Sequence, residues 1–359
     1  MLLEGIFAAV TTCFYPDGRP YWRKLEQNID RYSRTPLSGI VLLGSTGEAV
    51  MLSEEETREA LRVAQAATAP EKVLLAGVGR ESVFETLRLA DYAAQLDYDA
   101  ILVRTPHFYR KQMRNREMLT YYQAVADRSP LPVLLYSVPS CTAYDLPVEV
   151  VAELAMHPNI VGMKDSSGNV ERIAQLVHAT SSIRKRSVPV TTVFAAVTSR
   201  MLEPPVRANG HGSHAEATFV AADRLGSGMA ALAVSPPRPA LKTRMREVGF
   251  QLLCGSAQTL YPSLEAGATG GVLALATFAP QACQEVYTAW KEKDAVLAAD
   301  KQRRIFRAGV EVCGQMGIPG IKYALDLNGY YGGRPRMPLL PLIAEEQRLV
   351  EELTYDIRN

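Results

Sequence analysis

No stretch of this sequence stays apolar long enough to span a bilayer: its hydrophobic runs are strand-sized and interrupted. An excess of one charge is also missing. Lys plus Arg (39) nearly equals Asp plus Glu (38), so no global field points to nucleic acid or an anionic membrane. Cysteines are few and scattered. Cys13, Cys141, Cys254, Cys283 and Cys313 are an odd set without CxxC spacing, which suits reduced thiols in a cytoplasm better than a disulfide frame or a zinc site. His107, His157, His178, His211 and His214 are dispersed too, and the Gly/Ala-rich context of His211 and His214 makes a weak metal pair. The chain enters the strand-like "GIFAAVTTCF" at Gly5, so no signal or transit peptide is expected. What remains is ordinary globular material, 47% hydrophobic and 21% charged, and 359 residues suffice for one large α/β barrel or two smaller domains.

Strand and helix signals alternate along the chain. Strand-like runs occupy 5–14, 39–45, 73–79, 100–106, 132–139, 160–167, 250–257 and 270–276. Seven of the eight are near-continuous apolar runs, as parallel strands covered on both faces require. Amphipathic stretches such as "SEEETREALRVAQAA" lie between them, and Ser53 with Glu56 three residues on forms a capping-box signature. Eight such units predict a (β/α)8 barrel. A doubly wound sheet is disfavoured because "GVGRES" (77–82) lacks the third glycine of a dinucleotide fingerprint. The barrel is expected over 1–292, with a C-terminal helical region over 293–359. Residues 185–249 interrupt it between helix six and strand seven, where a short loop is normal. This segment carries Pro189, Pro204, Pro205, Pro236, Pro237 and Pro239 and has no sustained period. It is expected at the N-terminal face, opposite the chemistry. The plain reading is an unpacked surface loop, or a stretch foreign to the native gene product; the sharper one is a small subdomain or oligomer contact.

Catalytic groups of such barrels sit at the C-terminal ends of strands. There the sequence places Ser45 and Thr46 in "GSTGE" (44–48), Tyr136 in "LLYSVP", Lys164 and Ser166 in "IVGMKDSSGN" (160–169), and Gly255 with Ser256. Lys164 ends a buried run with no acid positioned to neutralise it, since Asp165, its neighbour on the strand, should face the other way. A lysine amine can attack a ketone and form a Schiff base that withdraws electrons from the adjacent carbon. Only about one ordinary lysine in 2,500 is neutral at pH 7, and burial away from carboxylates raises that fraction. The plainer readings are a snorkelling lysine, a core tyrosine and a turn that feeds a capped helix. Their coincidence at one barrel mouth favours chemistry.

The motifs "GSTGE", "YSVPSCTAYDLP" (136–147) and "NIVGMKDSSGNVERI" (159–173) resemble the dihydrodipicolinate synthase / N-acetylneuraminate lyase family of class I aldolases. The resemblance covers 1–184 and 250–359. "TPHFYR", "HPNIVGMKDSSG", "GIPGIK" and "GYYGG" look most like its 4-hydroxy-2-oxoglutarate aldolase branch. It implies that Lys164 forms an imine with a 2-oxo acid, Tyr136 relays protons with Thr46 alongside, and Ser45 and Thr46 hold the pyruvyl carboxylate. Ser166, Gly255 and Ser256 would line the remaining substrate site, and neither cofactor nor metal is implied. A cytoplasmic homotetramer acting on a small 2-oxo acid follows by the same resemblance, releasing pyruvate and glyoxylate from 4-hydroxy-2-oxoglutarate. The alternatives are 4-hydroxy-tetrahydrodipicolinate synthesis and a non-catalytic pyruvate-binding barrel. Two departures stand out. Cys141 occupies the place of an arginine that the synthases use on their second substrate's carboxylate, and Phe108, followed by Tyr109, replaces a tyrosine that crosses the subunit interface.

Overall fold

The structure, a computed structural model, describes residues 1–202 and 241–358. Eight parallel strands close into a barrel: β1 Gly5–Ala9, β2 Gly39–Leu42, β3 Val73–Gly77, β4 Ala100–Arg104, β5 Val133–Ser137, β6 Ile160–Asp165, β9 Gln251–Cys254 and β10 Gly270–Leu273. The expected runs overshoot most strand ends by two or more residues, because apolar sequence continues past the last ladder bond into the mouth loops. Helices α1 Trp22–Ser33, α2 Glu54–Ala67, α3 Val83–Gln95, α4 Asn115–Arg128, α5 Val148–Leu154 and α6 Val170–Ala179 cross between strands. The capping box predicted for α2 is formed, Glu56 N donating to Ser53 Oγ at 3.2 Å and Ser53 N to Glu56 Oε2 at 2.9 Å.

Strand alternation sorts the side chains into two cores. Phe7, Val41, Leu75, Leu102, Leu134, Leu253 and Val272 fill the barrel interior, while Ile101, Val103, Leu135 and Met163 face the surrounding helices. One irregularity matters for the site. The pairing of β5 with β6 slips after Val133, which opposes Ile160, because Leu134 then opposes Gly162. Val161 and Gly162 are therefore a bulge, and beyond it the phase of β6 is inverted. A Cβ on Gly162 would strike the Gln251 carbonyl, so only glycine fits the tight pairing with β9.

The interruption behaves differently from an unpacked loop over its described part. Strands β7 Arg186–Thr191 and β8 Thr243–Val248 pair antiparallel into a ribbon beneath the N-terminal face. Val188, Val190 and Val248 bury against Leu2. The Arg186 guanidinium donates to the carbonyls of Pro158, Ile160, Val161 and Gly249 at 3.1–3.3 Å. Arg200, buried at the end of this segment, pairs with buried Asp99 at 3.0 Å and also donates to the Lys72 carbonyl. Pro189 is tolerated because the ribbon is only two strands wide and every strand in it is an edge. Over residues 185–202 and 241–249 the segment thus lies on the expected face and is packed, where an unpacked loop was expected. Pro204, Pro205, His211, His214, Pro236, Pro237 and Pro239 lie outside the described residues.

Helix α7 Leu260–Glu265 joins β9 to β10, and after β10 come α8 Pro280–Lys291, α9 Ala295–Arg307, α10 Gly317–Leu327 and α11 Ala344–Thr354. Ile305, Val312, Ile321, Leu325, Val350 and Leu353 share one apolar cluster with the outer barrel residues, so these helices are packed onto the barrel. Among the described residues no helix is long and apolar enough to cross a membrane.

Candidate active site

Three inward polar residues stand in one layer at the C-terminal mouth. The register opposes Arg104 of β4 to Tyr136 of β5, and Tyr136 to Lys164 of β6. Lys164 faces inward because of the bulge; with unbroken alternation Val161 and Met163 would share a face and Lys164 would point outward. Lys164 and Tyr136 are both 3% exposed. The Lys164 amine donates to the Tyr136 hydroxyl at 3.3 Å, and its nitrogen lies 4.3 Å from the Tyr136 ring centroid. Tyr136 Oη in turn shares a 3.1 Å hydrogen bond with Ser45 Oγ. Lysine, tyrosine and serine therefore form a short hydrogen-bonded chain.

Asp165 takes no part in it. Its carboxylate lies on the outer side, where it accepts from Arg172 Nε at 2.8 Å, Ser167 N at 3.0 Å and Ser167 Oγ at 2.5 Å. Arg172 also reaches Asp145 at 3.1 Å, which accepts from Ser137 Oγ. Among the described residues no carboxylate comes within 4.0 Å of the Lys164 amine. An amine without an anionic neighbour is what nucleophilic attack requires.

The other expected residues are arranged around this chain less directly. Thr46 is buried next to Ser45 but bonds neither Tyr136 nor Lys164. Ser166 is half-buried and anchored by its amide to the Ser137 carbonyl at 2.9 Å. Gly255 packs on it so closely that a Cβ would overlap Ser166 Oγ. Ser256, half-buried, donates its amide to Cys254 Sγ at 3.4 Å. These three, like Thr46, do not line the mouth cavity and make no hydrogen bond to the Lys164 amine.

A cavity of about 700 Å³ opens above the chain, lined by Ser45, Tyr136, Arg80, Arg104, Phe108 and Cys141 among others. Lys164 is absent from its lining, whereas Tyr136, which bonds the amine, is part of it. Cys141 is exposed in the turn after β5. Phe108 and Tyr109 are 75% and 62% exposed, their rings 5.1 Å apart, and the Tyr109 hydroxyl bonds no described residue of its own chain. A relay through either ring is therefore not assembled within one chain. Among the described residues no three His, Cys, Asp or Glu side chains gather as metal ligands.

Sequence reasoning missed Arg104, Arg80 and Glu81 in this cavity. Two-residue counting from Ala100 and Leu102 would have turned Arg104 inward. It also missed a buried ion pair behind the mouth, in which Lys322 Nζ of α10 lies 2.6 Å from Glu48 Oε1 of the "GSTGE" loop. Glu48 adopts φ +53 there, and its other oxygen accepts the Arg336 amide at 2.8 Å. Nothing local in the sequence announces so long-range a pairing.

The sequence profile of the Dihydrodipicolinate synthetase family matches residues 2–185 and 240–356. A 4-hydroxy-tetrahydrodipicolinate synthase of Xanthomonas campestris is 41% identical over 180 residues, which span 49% of this chain and 58% of that relative. The chain thus matches little more than half the length of this relative. One of Acidiphilium cryptum is 26% identical over 95% of this chain and 94% of its own. Among solved structures, the chloride-inhibited dihydrodipicolinate synthase of Acinetobacter baumannii, complexed with pyruvate, superposes with a TM-score of 0.76 at 23% identity, covering 99% of both chains. A prophage protein of E. coli K12 with bound pyruvate gives the same TM-score, identity and coverage. At such identities the likeness carries the fold.

Proposed function

Since the chain belongs to the dihydrodipicolinate synthetase family, we propose that it is a pyruvate-dependent lyase or synthase in which Lys164 forms the covalent imine. The observation that carries this is the buried Lys164 amine, 3.3 Å from a phenol and without a carboxylate beside it. The neutral amine attacks C2 of pyruvate to give a carbinolamine. Tyr136, bonded to both Lys164 and Ser45, hands a proton to the departing hydroxyl, and water leaves. The protonated imine then draws the C3 proton off, and the resulting enamine carbon attacks an aldehyde. Hydrolysis frees Lys164. Run backwards, the same steps cleave a 4-hydroxy-2-oxo acid to pyruvate and an aldehyde. Ser45, Thr46 and Ser166 are assigned to the pyruvyl and aldehyde ends, with Gly255 and Ser256 as wall.

For the aldehyde, the names of the relatives support aspartate semialdehyde and the synthesis of 4-hydroxy-tetrahydrodipicolinate. Cleavage of 4-hydroxy-2-oxoglutarate, the reading first suggested by the sequence motifs, is carried by no relative named above. One observation still favours it: Cys141 is neutral and cannot make the two-pronged carboxylate contact of an arginine.

Borohydride reduction in the presence of pyruvate tests the core of this reading. A stable adduct is expected on Lys164 and none in Lys164→Ala. An unchanged mass, or pyruvate bound without turnover of either substrate, sinks it. Supplying aspartate semialdehyde with pyruvate, and 4-hydroxy-2-oxoglutarate alone, separates the two substrates.

A further inference from the structure

We propose that Arg104 is the specificity-determining residue that holds the carboxylate of the aldehyde partner. This rests on the pyruvate-imine reading of Lys164. The argument begins with strand phase. Ala100 and Leu102 of β4 lie in the barrel interior, so Arg104, two residues further on, projects inward at the mouth. It stands opposite Tyr136, which stands opposite Lys164. The guanidinium is therefore two strand spacings, about 10 Å, from the strand that carries the amine. An imine-bound pyruvate at Lys164 would put its new carbon–carbon bond near Tyr136 and its far end toward β4.

The neighbouring backbone is shaped for this side chain. A Cβ on Gly79 would fall 2.6 Å from Arg104 N and 2.9 Å from Arg104 Cγ, so any larger residue there would push the arginine out of the layer. The guanidinium is 19% exposed and lines the cavity. Its NH1 donates to Glu81 Oε1 at 3.0 Å and Thr105 O at 3.2 Å, and lies 2.8 Å from His107 Nδ1. Nε and NH2 have no partner among the described residues, which leaves one edge of the fork for a planar anion. Four guanidiniums (Arg58, Arg80, Arg88, Arg104) line the cavity against three carboxylates (Glu54, Glu81, Glu85), one cation more than anions. Arg104 also supplies, from a different strand, the carboxylate contact that Cys141 cannot make.

The plainer role for Arg104 is to hold the loop after β4, since Glu81 Oε2 also accepts the amides of His107 and Phe108 at 2.9 and 3.0 Å. Kinetics on paired acceptors separates the two. Wild type, Arg104→Gln and Arg104→Lys would be assayed for condensation of pyruvate with glyoxylate, aspartate semialdehyde and the uncharged glycolaldehyde. For Arg104→Gln, KM for the two acids is expected to rise about tenfold or more and that for glycolaldehyde less than twofold. Arg104→Lys, which keeps the charge beside Glu81, is expected to fall between. Borohydride trapping of pyruvate on Lys164 should be unchanged in both variants. Equal losses for charged and uncharged acceptors, or an unchanged preference in Arg104→Lys should Arg104→Gln fail to fold, would overturn the assignment. Failure of pyruvate trapping in wild type would instead strike the imine reading itself.

Discussion

Two lysines are buried at this barrel mouth, and they are provisioned in opposite ways. Lys322 is fully enclosed, 2.6 Å from Glu48, 3.0 Å from the Arg334 carbonyl and 4.4 Å from the centroid of Phe14. Burial pushes its ammonium down from the ordinary lysine value, while Glu48 pulls it back. Lys164 is nearly as enclosed but meets a phenol in place of a carboxylate. Burial alone thus does not decide how a lysine is used. A carboxylate turns the first amine into a tie between α10 and the loop after β2. The second has no such tie and meets only a phenol.

The sharpest test of this contrast is removal of each amine. Lys164→Ala should lower turnover by at least about 10⁴-fold while leaving the fold intact, measured by steady-state rates and thermal melting. In wild type the borohydride label should appear on Lys164 and not on Lys322, checked by peptide mass mapping. Next comes the phenol. Tyr136→Phe should slow turnover about 10²–10⁴-fold, yet still permit slow trapping of pyruvate, because the amine remains. Lys322→Met should do the reverse: it leaves buried Glu48 without its cation at a cost of about 3–5 kcal/mol in denaturant unfolding. Adding Glu48→Gln should recover much of that loss; if the double variant is no better, the pair is not the tie described.

The smallest effect concerns a carboxylate that serves an arginine. Burial pushes Glu81 up, but the amides of Phe108 and His107 and the Arg104 guanidinium outweigh it and hold the carboxyl below the ordinary glutamate range. Its folded value being depressed, its contribution is fully present above the unfolded glutamate value and fades as pH falls through the folded one. Protection of the His107 and Phe108 amides, corrected for the intrinsic exchange rate, should therefore fall selectively in acid. Protection lost toward alkaline pH instead would contradict the sign.

Much of this was legible in the sequence. All eight barrel strands and the cap of α2 follow from apolar runs and one Ser-Glu spacing, and the meeting of Lys164, Tyr136 and Ser45 follows from their places at strand ends. The prediction that Asp165 turns away from Lys164 agrees with its pairing to Arg172. What the sequence concealed is of three kinds. The β7–β8 ribbon was masked by Pro189, which breaks a strand pattern yet fits an edge. The Glu48–Lys322 pair joins distant segments with no periodicity between them. Arg104 reads as the polar end of an apolar run, and only its phase reveals that it faces the cavity.

The bulge at Val161–Gly162 carries a final implication. Losing Val161 would heal the ladder and leave the amine facing inward, whereas losing Met163, just past the bulge, would turn the rest of β6 over and send the amine into the helix layer and the carboxylate of Asp165 into the lumen. The mouth would become an acid-lined pit with nearly the same composition and backbone. A single codon in a strand, far from any loop, therefore separates two chemically opposite barrels.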